Sequence, residues 1–326
     1  MNINEVRSRV EQLFNPFTNS TLKDTNSIKH IGINDEKKVV VLIIAISTLG
    51  GEEERYIRKE LARLIKLELG FDGIKIQFEQ LQKLTCEKAK IILVGGCKGG
   101  TGKTTVAINL AYQLAKLGKK VGLIDGDCYG PSILTLLNID SLNLQVNEYG
   151  KALPYNFNGI EVMSMEFFNA PKEAALWRGD VVSGMLRNFL YQVCWSKDLE
   201  YIVIDMPSDT AETLIDIKSY IPSFEILLVT TPSLVSSHVV IRAGDGSKKL
   251  GHSIIGVIEN MSGMEVSANP ESYLNNSGGQ LVSKELGIEF LGSIKYASAK
   301  HHLCIYEDEE ENALIFKDLA TLVSIR

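Results

Sequence analysis

The chain has no C-x-x-C anywhere, although it contains five cysteines: Cys86, Cys97, Cys128, Cys194 and Cys304. That absence excludes a zinc ribbon and a thioredoxin-type redox motif. The odd count, in a sequence whose first residues carry no apolar signal core, also argues against a disulfide framework. Long hydrophobic runs are missing too. The longest, Val39–Ile46, has 8 residues, well short of the about 18 that a membrane span needs. There is no basic excess: 34 Lys and Arg against 40 Asp and Glu leave a net charge of −6, so no charge-driven binding to nucleic acid is expected. With 45% hydrophobic and 23% charged residues the composition is that of an ordinary globular protein, and the expected location is the cytoplasm. At roughly 150 residues per domain, 326 residues suggest two domains.

The pattern along the chain supports a division into residues 1–82, a polar connector 83–90, and residues 91–326. The first part reads α-β-β-α-β. A helix near Glu5 to Phe14 stops before Pro16, and strands follow over Ser27 to Ile33 and Lys38 to Ser47. After Gly50-Gly51, Glu52 to Leu69 has Ile57, Leu61, Leu64 and Ile65 at helical spacing, then Gly73 to Phe78 closes the unit as a strand. In the second part short apolar runs alternate with helical stretches: Ile91 to Val94, Val121 to Ile124, Gly159 to Ser164, Tyr201 to Ile204, Ile226 to Thr230 and Ile254 to Ile258. That alternation predicts an α/β domain with a mostly parallel sheet and helices on both faces. Ligands of such sheets bind at the carboxyl ends of the strands.

The richest segment is Gly95 to Asp127. A strand ends at Val94, a glycine loop follows, and Lys103-Thr104-Thr105 opens an amphipathic helix. Glycines let successive N–H groups face one anion, and the helix N-terminus adds its positive end. Cys97, Lys98, Gly99, Gly100, Thr101, Gly102, Lys103, Thr104 and Thr105 are thus the predicted ATP-binding loop, with Gly99 to Thr105 cradling the phosphates. Lys103 would reach the β- and γ-phosphates, the Thr104 hydroxyl would ligate Mg²⁺, and Thr105 would lie near the α-phosphate. Cys97 stands where the general phosphate-loop pattern has glycine, and a second lysine, Lys98, precedes the double glycine.

Lys98-Gly99-Gly100-Thr101-Gly102-Lys103-Thr104 resembles the deviant Walker A loop of the MinD/ParA/nitrogenase-iron-protein group. Asp125-Gly126-Asp127-Cys128-Tyr129-Gly130-Pro131-Ser132 is similar to the "DxDxYGPS" switch of the Mrp/ApbC iron–sulfur carrier ATPases. So are Trp177-Arg178-Gly179 with Val182-Ser183-Gly184, the strand Tyr201 to Asp205, Thr230-Thr231-Pro232, Gly256 to Ser262, and Phe290 to Ile294. The first unit resembles the small iron–sulfur-assembly domain that often precedes this ATPase. The resemblance implies a slow P-loop ATPase, a homodimer in which Lys98 reaches the partner's nucleotide, and apo iron–sulfur proteins as clients. It implies that Asp127 orients the attacking water, Asp205 helps to hold Mg²⁺, Asn260 reads adenine, and Asp125 is a switch carboxylate, structural or Mg-linked.

The departures fall where the cargo would bind. After the "ENMS" stretch the family carries a C-x-x-C, and two such pairs bridge a [4Fe–4S] cluster between subunits. Here Ser262 is followed by Gly263-Met264-Glu265-Val266, and serine cannot replace a thiolate at such a site. The first unit's family cysteine is replaced by Ser47-Thr48-Leu49-Gly50, the "PPGTGD" loop reads Pro207-Ser208-Asp209-Thr210-Ala211-Glu212, and Lys295 replaces a proline. Cys97 and Cys128 are either small residues in tight loops or a redox- or metal-sensitive pair. His301, His302 and Cys304 are ligands of the right type but too few. Glu307 to Glu311 reads as a solvated acidic helix start. Three functions stay open: an ATP-dependent cluster carrier, a cluster-free regulatory or scaffold ATPase of the same fold, and a positioning ATPase. The apolar stripe Leu314, Ile315, Leu319, Leu322 and Val323 has few basic neighbours, so no membrane binding is expected.

Overall fold

The computed structural model describes residues 3–25, 27–34, 37–80, 84–96, 98–127, 130–140, 144–168, 179–208, 214–215, 217–218, 220–221, 223–263, 277–301 and 303–326, and of residues 179–183 the backbone only. The chain forms two compact units, Met1–Lys83 and Leu84–Arg326.

In the first unit α1 (Ile3–Glu11), β1 (Ile28–Asn34), β2 (Val39–Ile46), α2 (Glu52–Arg63) and β3 (Gly73–Gln80) follow in order. β2 is central, antiparallel to β1 and parallel to β3. Alternation along β2 sends Val40, Leu42, Ile44 and Ile46 to one face. There they join Val6 and Val10 of α1 and Ile57 and Leu61 of α2 in one core. The helix expected to run to Leu69 changes character at Leu64. Leu64–Glu68 is a π-helical turn, and the wider turn keeps Leu64 and Ile65 buried while Leu67 stays 79% exposed. Glu53 is buried beneath the loop after β2, where its carboxylate accepts from Asn15 Nδ2 at 2.8 Å and Thr48 N at 3.2 Å.

The second unit contains β4 (Lys90–Gly95), α3 (Lys103–Lys116), β5 (Val121–Asp125), α4 (Ile133–Leu137), β6 (Tyr155–Phe157), β7 (Ile160–Met163), α5 (Gly179–Gln192), β8 (Tyr201–Asp205), β9 (Glu225–Thr230), α6 (Leu234–Lys249), β10 (Ser253–Ser262), α7 (Gly278–Leu286), β11 (Phe290–Lys295) and α8 (Glu311–Ile325). Residues 84–89 also belong here: Thr85 N and Oγ1 both donate to Leu190 O, at 3.1 and 2.8 Å. The 8-stranded sheet has the order β6-β7-β5-β8-β4-β9-β10-β11. Every pairing is parallel except β6 with β7. β6 is an edge strand that the sequence pattern did not single out.

The central strands are apolar throughout because helices cover both faces; Ile92, Leu93, Val94, Ile202, Val203 and Ile204 are all fully buried. β4 is the switch point of the topology: the chain moves to one side of it for β5 and to the other for β9. The crevice at its carboxyl end is therefore where a ligand site belongs. β10 carries one residue more than β9 opposite the Ile226–Leu227 step, because Ile226 pairs with Ile254 and Leu227 with Gly256. The extra residue is Ile255, whose carbonyl accepts from Arg326 Nη1 at 3.0 Å. Among the described residues no helix is long and apolar enough to cross a membrane.

Candidate nucleotide site

The loop after β4 folds over the carboxyl ends of β4, β8 and β9. Two glycines are required by close approach. A Cβ on Gly96 would run into Val229 O, and one on Gly102 would run into Asn260 Nδ2. Gly102 also has φ +80°, a left-handed conformation that L side chains resist. The Thr101 side chain turns back inside the loop, donating to Lys98 O at 3.3 Å. Lys103 is buried at the first turn of α3, and its Nζ donates to the same Lys98 carbonyl at 3.1 Å. The ammonium thus lies against the loop interior. Gly99 and Gly100 are exposed on the loop, and Lys98 is half-buried.

Opposite the loop stand two carboxylates. Asp205 ends β8 and Asp125 ends β5, and they are paired in register across adjacent strands. Each is 1% exposed. Thr104 Oγ1 donates to Asp205 Oδ2 at 2.6 Å. Asp205 Oδ1 is buried and takes no hydrogen bond from the protein. Burial pushes the Asp205 carboxyl up to about 7; the Thr104 bond and the Lys103 charge pull it down, and the Asp127 charge pushes it up.

Asp125 is spent on the backbone. Its Oδ1 accepts from Asp127 N at 3.2 Å, and its Oδ2 from Ser132 N at 2.9 Å, Ile133 N at 3.1 Å and Ser164 Oγ at 3.4 Å. Burial, with the neighbouring Asp205 charge, holds its carboxyl well above the usual range despite those bonds. This arrangement favours the structural side of the sequence expectation over metal ligation by Asp125. Asp127 is half-buried, and its Oδ1 accepts from Gly130 N at 3.0 Å.

The donor set fits Mg²⁺. A hydroxyl and a carboxylate, with one buried carboxylate oxygen unclaimed, are the hard oxygen ligands this ion takes alongside phosphate and water. Among the described residues there is no group of three or more His, Cys, Asp and Glu side chains that could hold a metal by themselves.

Asn260 is 7% exposed and donates from Nδ2 to Thr101 O at 2.9 Å, so it braces the phosphate loop from β10. Its neighbour Glu259 faces the other way. The Glu259 carboxylate accepts from Ser277 Oγ at 2.7 Å and Gly279 N at 3.0 Å, holding the first turn of α7. Thr105 lies behind the loop, and its carbonyl accepts from Asn109 Nδ2 at 2.8 Å. Asn109 also donates to Cys304 O at 2.8 Å and accepts from Tyr306 N at 3.0 Å, so α3 is tied to the segment before α8. Glu259 and Asn109 were not singled out from the sequence. The available signals were a charged residue inside an apolar strand and a polar residue on the apolar face of α3.

The described thiols do not form a metal-binding group. Cys86 and Cys304 are buried, and burial pushes both thiols up to about 12, which disfavours the thiolate a cluster needs. Cys194 is half-buried beside Asn147 Nδ2, 3.1 Å from its sulfur. His301 is exposed while the Cys304 sulfur turns inward toward Leu136 O, so these two do not converge. Cys97, Cys128, His302, Trp177, Arg178 and Asp209 lie outside the described residues. The acidic run is not simply a solvated helix start: Glu310 is buried and accepts from Glu307 N and Lys300 N at 2.8 and 2.9 Å, and Lys116 pairs with Asp308 at 2.8 Å.

A glycine loop opening a helix, a lysine in its first turn, and a threonine bonded to a buried strand-end aspartate define a P-loop NTPase. The sequence profile of the ParA family described as "NUBPL iron-transfer P-loop NTPase" matches residues 87–321. The chain is 31% identical over 346 residues to the "Iron-sulfur cluster carrier protein" of Bacillus subtilis, covering 99% of this chain and 97% of that protein. It is 38% identical over 211 residues to the protein of the same description from Methanocaldococcus jannaschii, covering 64% of this chain and 72% of that one. Its structure is similar to that of a nucleotide-binding protein from Archaeoglobus fulgidus in complex with ADP, with a TM-score of 0.51, 27% identity, and coverage of 73% of this chain and 89% of that one. The chain belongs to the NUBPL iron-transfer family of P-loop NTPases.

Proposed function

We propose that this protein binds and hydrolyses ATP as a homodimer and carries iron–sulfur clusters to apo-proteins. The observation that carries the ATPase reading is the Thr104–Asp205 bond of 2.6 Å facing the loop that holds Lys103. In hydrolysis, water attacks the γ-phosphorus as the bond to the β-phosphate oxygen breaks, giving ADP and phosphate. Loop N–H groups from Gly99 to Thr105 and the Lys103 ammonium hold the phosphates, and Asp127 orients the water. Thr104 and Asp205 are the residues that would hold Mg²⁺, which when bound neutralises phosphate charge. Lys98 acts across the dimer, on the partner's nucleotide.

The cluster is the cargo, and the family and its named carriers support that part of the reading. The test is anaerobic reconstitution of the full chain, with iron and sulfide counted and the product offered to an apo-acceptor. Bound iron and sulfide that pass to the acceptor are the expected result. A second reading, a cluster-free ATPase of the same fold, is favoured by the missing C-x-x-C after Ser262 and by the two buried thiols. It requires ATP-dependent dimerisation with no iron bound, and a bound cluster would end it.

A further inference from the structure

The segment carrying Asp127 leads into α4, a helix of only 5 residues, Ile133–Leu137. So short a helix does not hold its own position, and its first N–H groups need outside partners. Ser132, at its N-cap, supplies no side-chain cap. Two carboxylates from neighbouring strand ends do the work instead. Asp125 takes Ser132 N and Ile133 N at 2.9 and 3.1 Å. Glu166, just past β7, takes Leu134 N on Oε2 at 3.2 Å and Thr135 Oγ1 on Oε1 at 3.4 Å.

The two caps are joined. Ser164 Oγ donates to Asp125 Oδ2 at 3.4 Å and accepts from Glu166 N at 3.2 Å. On the other side Ser132 Oγ lies 3.5 Å from Thr104 Oγ1, which is itself bonded to Asp205. A ring of hydrogen bonds thus runs from the proposed metal ligands through Ser132 and Asp125 to Ser164 and Glu166, then back to α4. Asp125 holds Asp127 N and Ser132 N at once, and Glu166 holds the helix that follows Ser132. Half-buried Glu166 touches neither phosphate cradle nor carboxylate pair.

We propose that Glu166 is a positioning residue for ATP hydrolysis: by capping α4 it steadies Gly130 to Ser132, and through the Gly130 N–H bond to the Asp127 carboxylate it keeps Asp127 facing the nucleotide. The inference rests on the ATPase reading for its consequence, but its geometry does not. Glu166→Ala and Glu166→Gln would be made in the full chain and compared with wild type for ATP affinity, turnover and amide exchange of peptides spanning 130–137. Glu166→Ala is expected to lower kcat about tenfold, the scale of one lost cap expressed as a rate, with Kd for ATP within about twofold of wild type. Glutamine keeps the acceptor oxygen and is expected to restore most of kcat. Exchange over 130–137 rises in the alanine variant whether or not the protein hydrolyses ATP. Unchanged exchange overturns the inference, as does wild-type turnover in Glu166→Ala, or a parallel loss of affinity and melting temperature with no rescue by glutamine. A wild type that binds ATP without turning it over overturns the ATPase reading alone, and exchange then decides the capping role.

Discussion

Thr104 and Asp205 stand 101 residues apart in the chain, yet Thr104 Oγ1 donates to Asp205 Oδ2 at 2.6 Å. One residue opens the helix after β4 and the other closes β8, and the register that pairs Asp205 with Val94 brings them together. The short bond is made to one carboxylate oxygen and leaves the other buried without a hydrogen bond from the protein. An acceptor left unpaired at such depth is costly unless something else satisfies it.

The pH dependence of the empty protein follows. Folding raises the Asp205 carboxyl from 3.8 to about 7, so the folded state holds its proton more tightly than the unfolded chain. This contribution to stability is fully present below pH 3.8 and is lost as pH climbs through about 7. Asp205→Asn removes it. In melts without metal or nucleotide, wild type should lose stability relative to Asp205→Asn between those limits. Mg²⁺ needs the carboxylate, so calorimetry should show Mg-dependent ATP affinity rising over the same interval.

Lys103→Ala should weaken ATP binding by about a hundredfold, the scale of losing a charge-assisted phosphate contact in a buried site. Fluorescent-nucleotide titration measures it, and retained affinity would contradict the assignment of the loop.

Lys98→Ala should leave ATP affinity within about threefold and abolish turnover, since a group acting in trans stabilises the transition state rather than the bound substrate. Light scattering with ATP should show the dimer lost. Normal turnover would remove Lys98 from the mechanism.

Gly102→Ala adds a Cβ where Asn260 Nδ2 already sits and forces alanine to φ +80°. The strained backbone alone costs about 1–2 kcal/mol. The variant should melt lower and bind ATP at least about tenfold more weakly.

Alkylation at neutral pH followed by mass mapping should leave Cys86 and Cys304 unmodified in the folded protein, because thiols held near 12 present almost no thiolate. Changing both to serine should leave any iron taken up on reconstitution unchanged. Loss of that iron would make one of them a ligand.

The sequence disclosed what local chemistry writes down. Glycines before Lys103, an apolar run ending at Asp205, and alternating strand and helix signals were enough for the loop, the carboxylate and the parallel sheet. β6 escaped because it has only 3 residues and its pattern carries no period. The role of Glu166 escaped because a cap that accepts from a helix elsewhere in the chain has no sequence signature at the helix it serves. The contact of Asn260 with Thr101 escaped for the same reason: its partner lies 159 residues away. Within the acidic run only Glu310 departed from the solvated reading, because a buried carboxylate bonded to backbone N–H groups looks like a solvated one when only composition is visible.

The extra residue in β10 sets the phase of the strand from Gly256 to Asn260. Successive side chains alternate between faces, so one inserted position exchanges the two sides for the rest of the strand. In the observed phase Asn260 turns to the phosphate loop and Glu259 to α7. Removing Ile255 without compensation would swap them, turning the Glu259 carboxylate toward the Thr101 carbonyl, which it repels and cannot hydrogen-bond. The strand therefore works as a gauge whose zero is set at Ile255 and clamped there by Arg326, so whether a neutral amide or a carboxylate faces the phosphate loop is fixed five residues away.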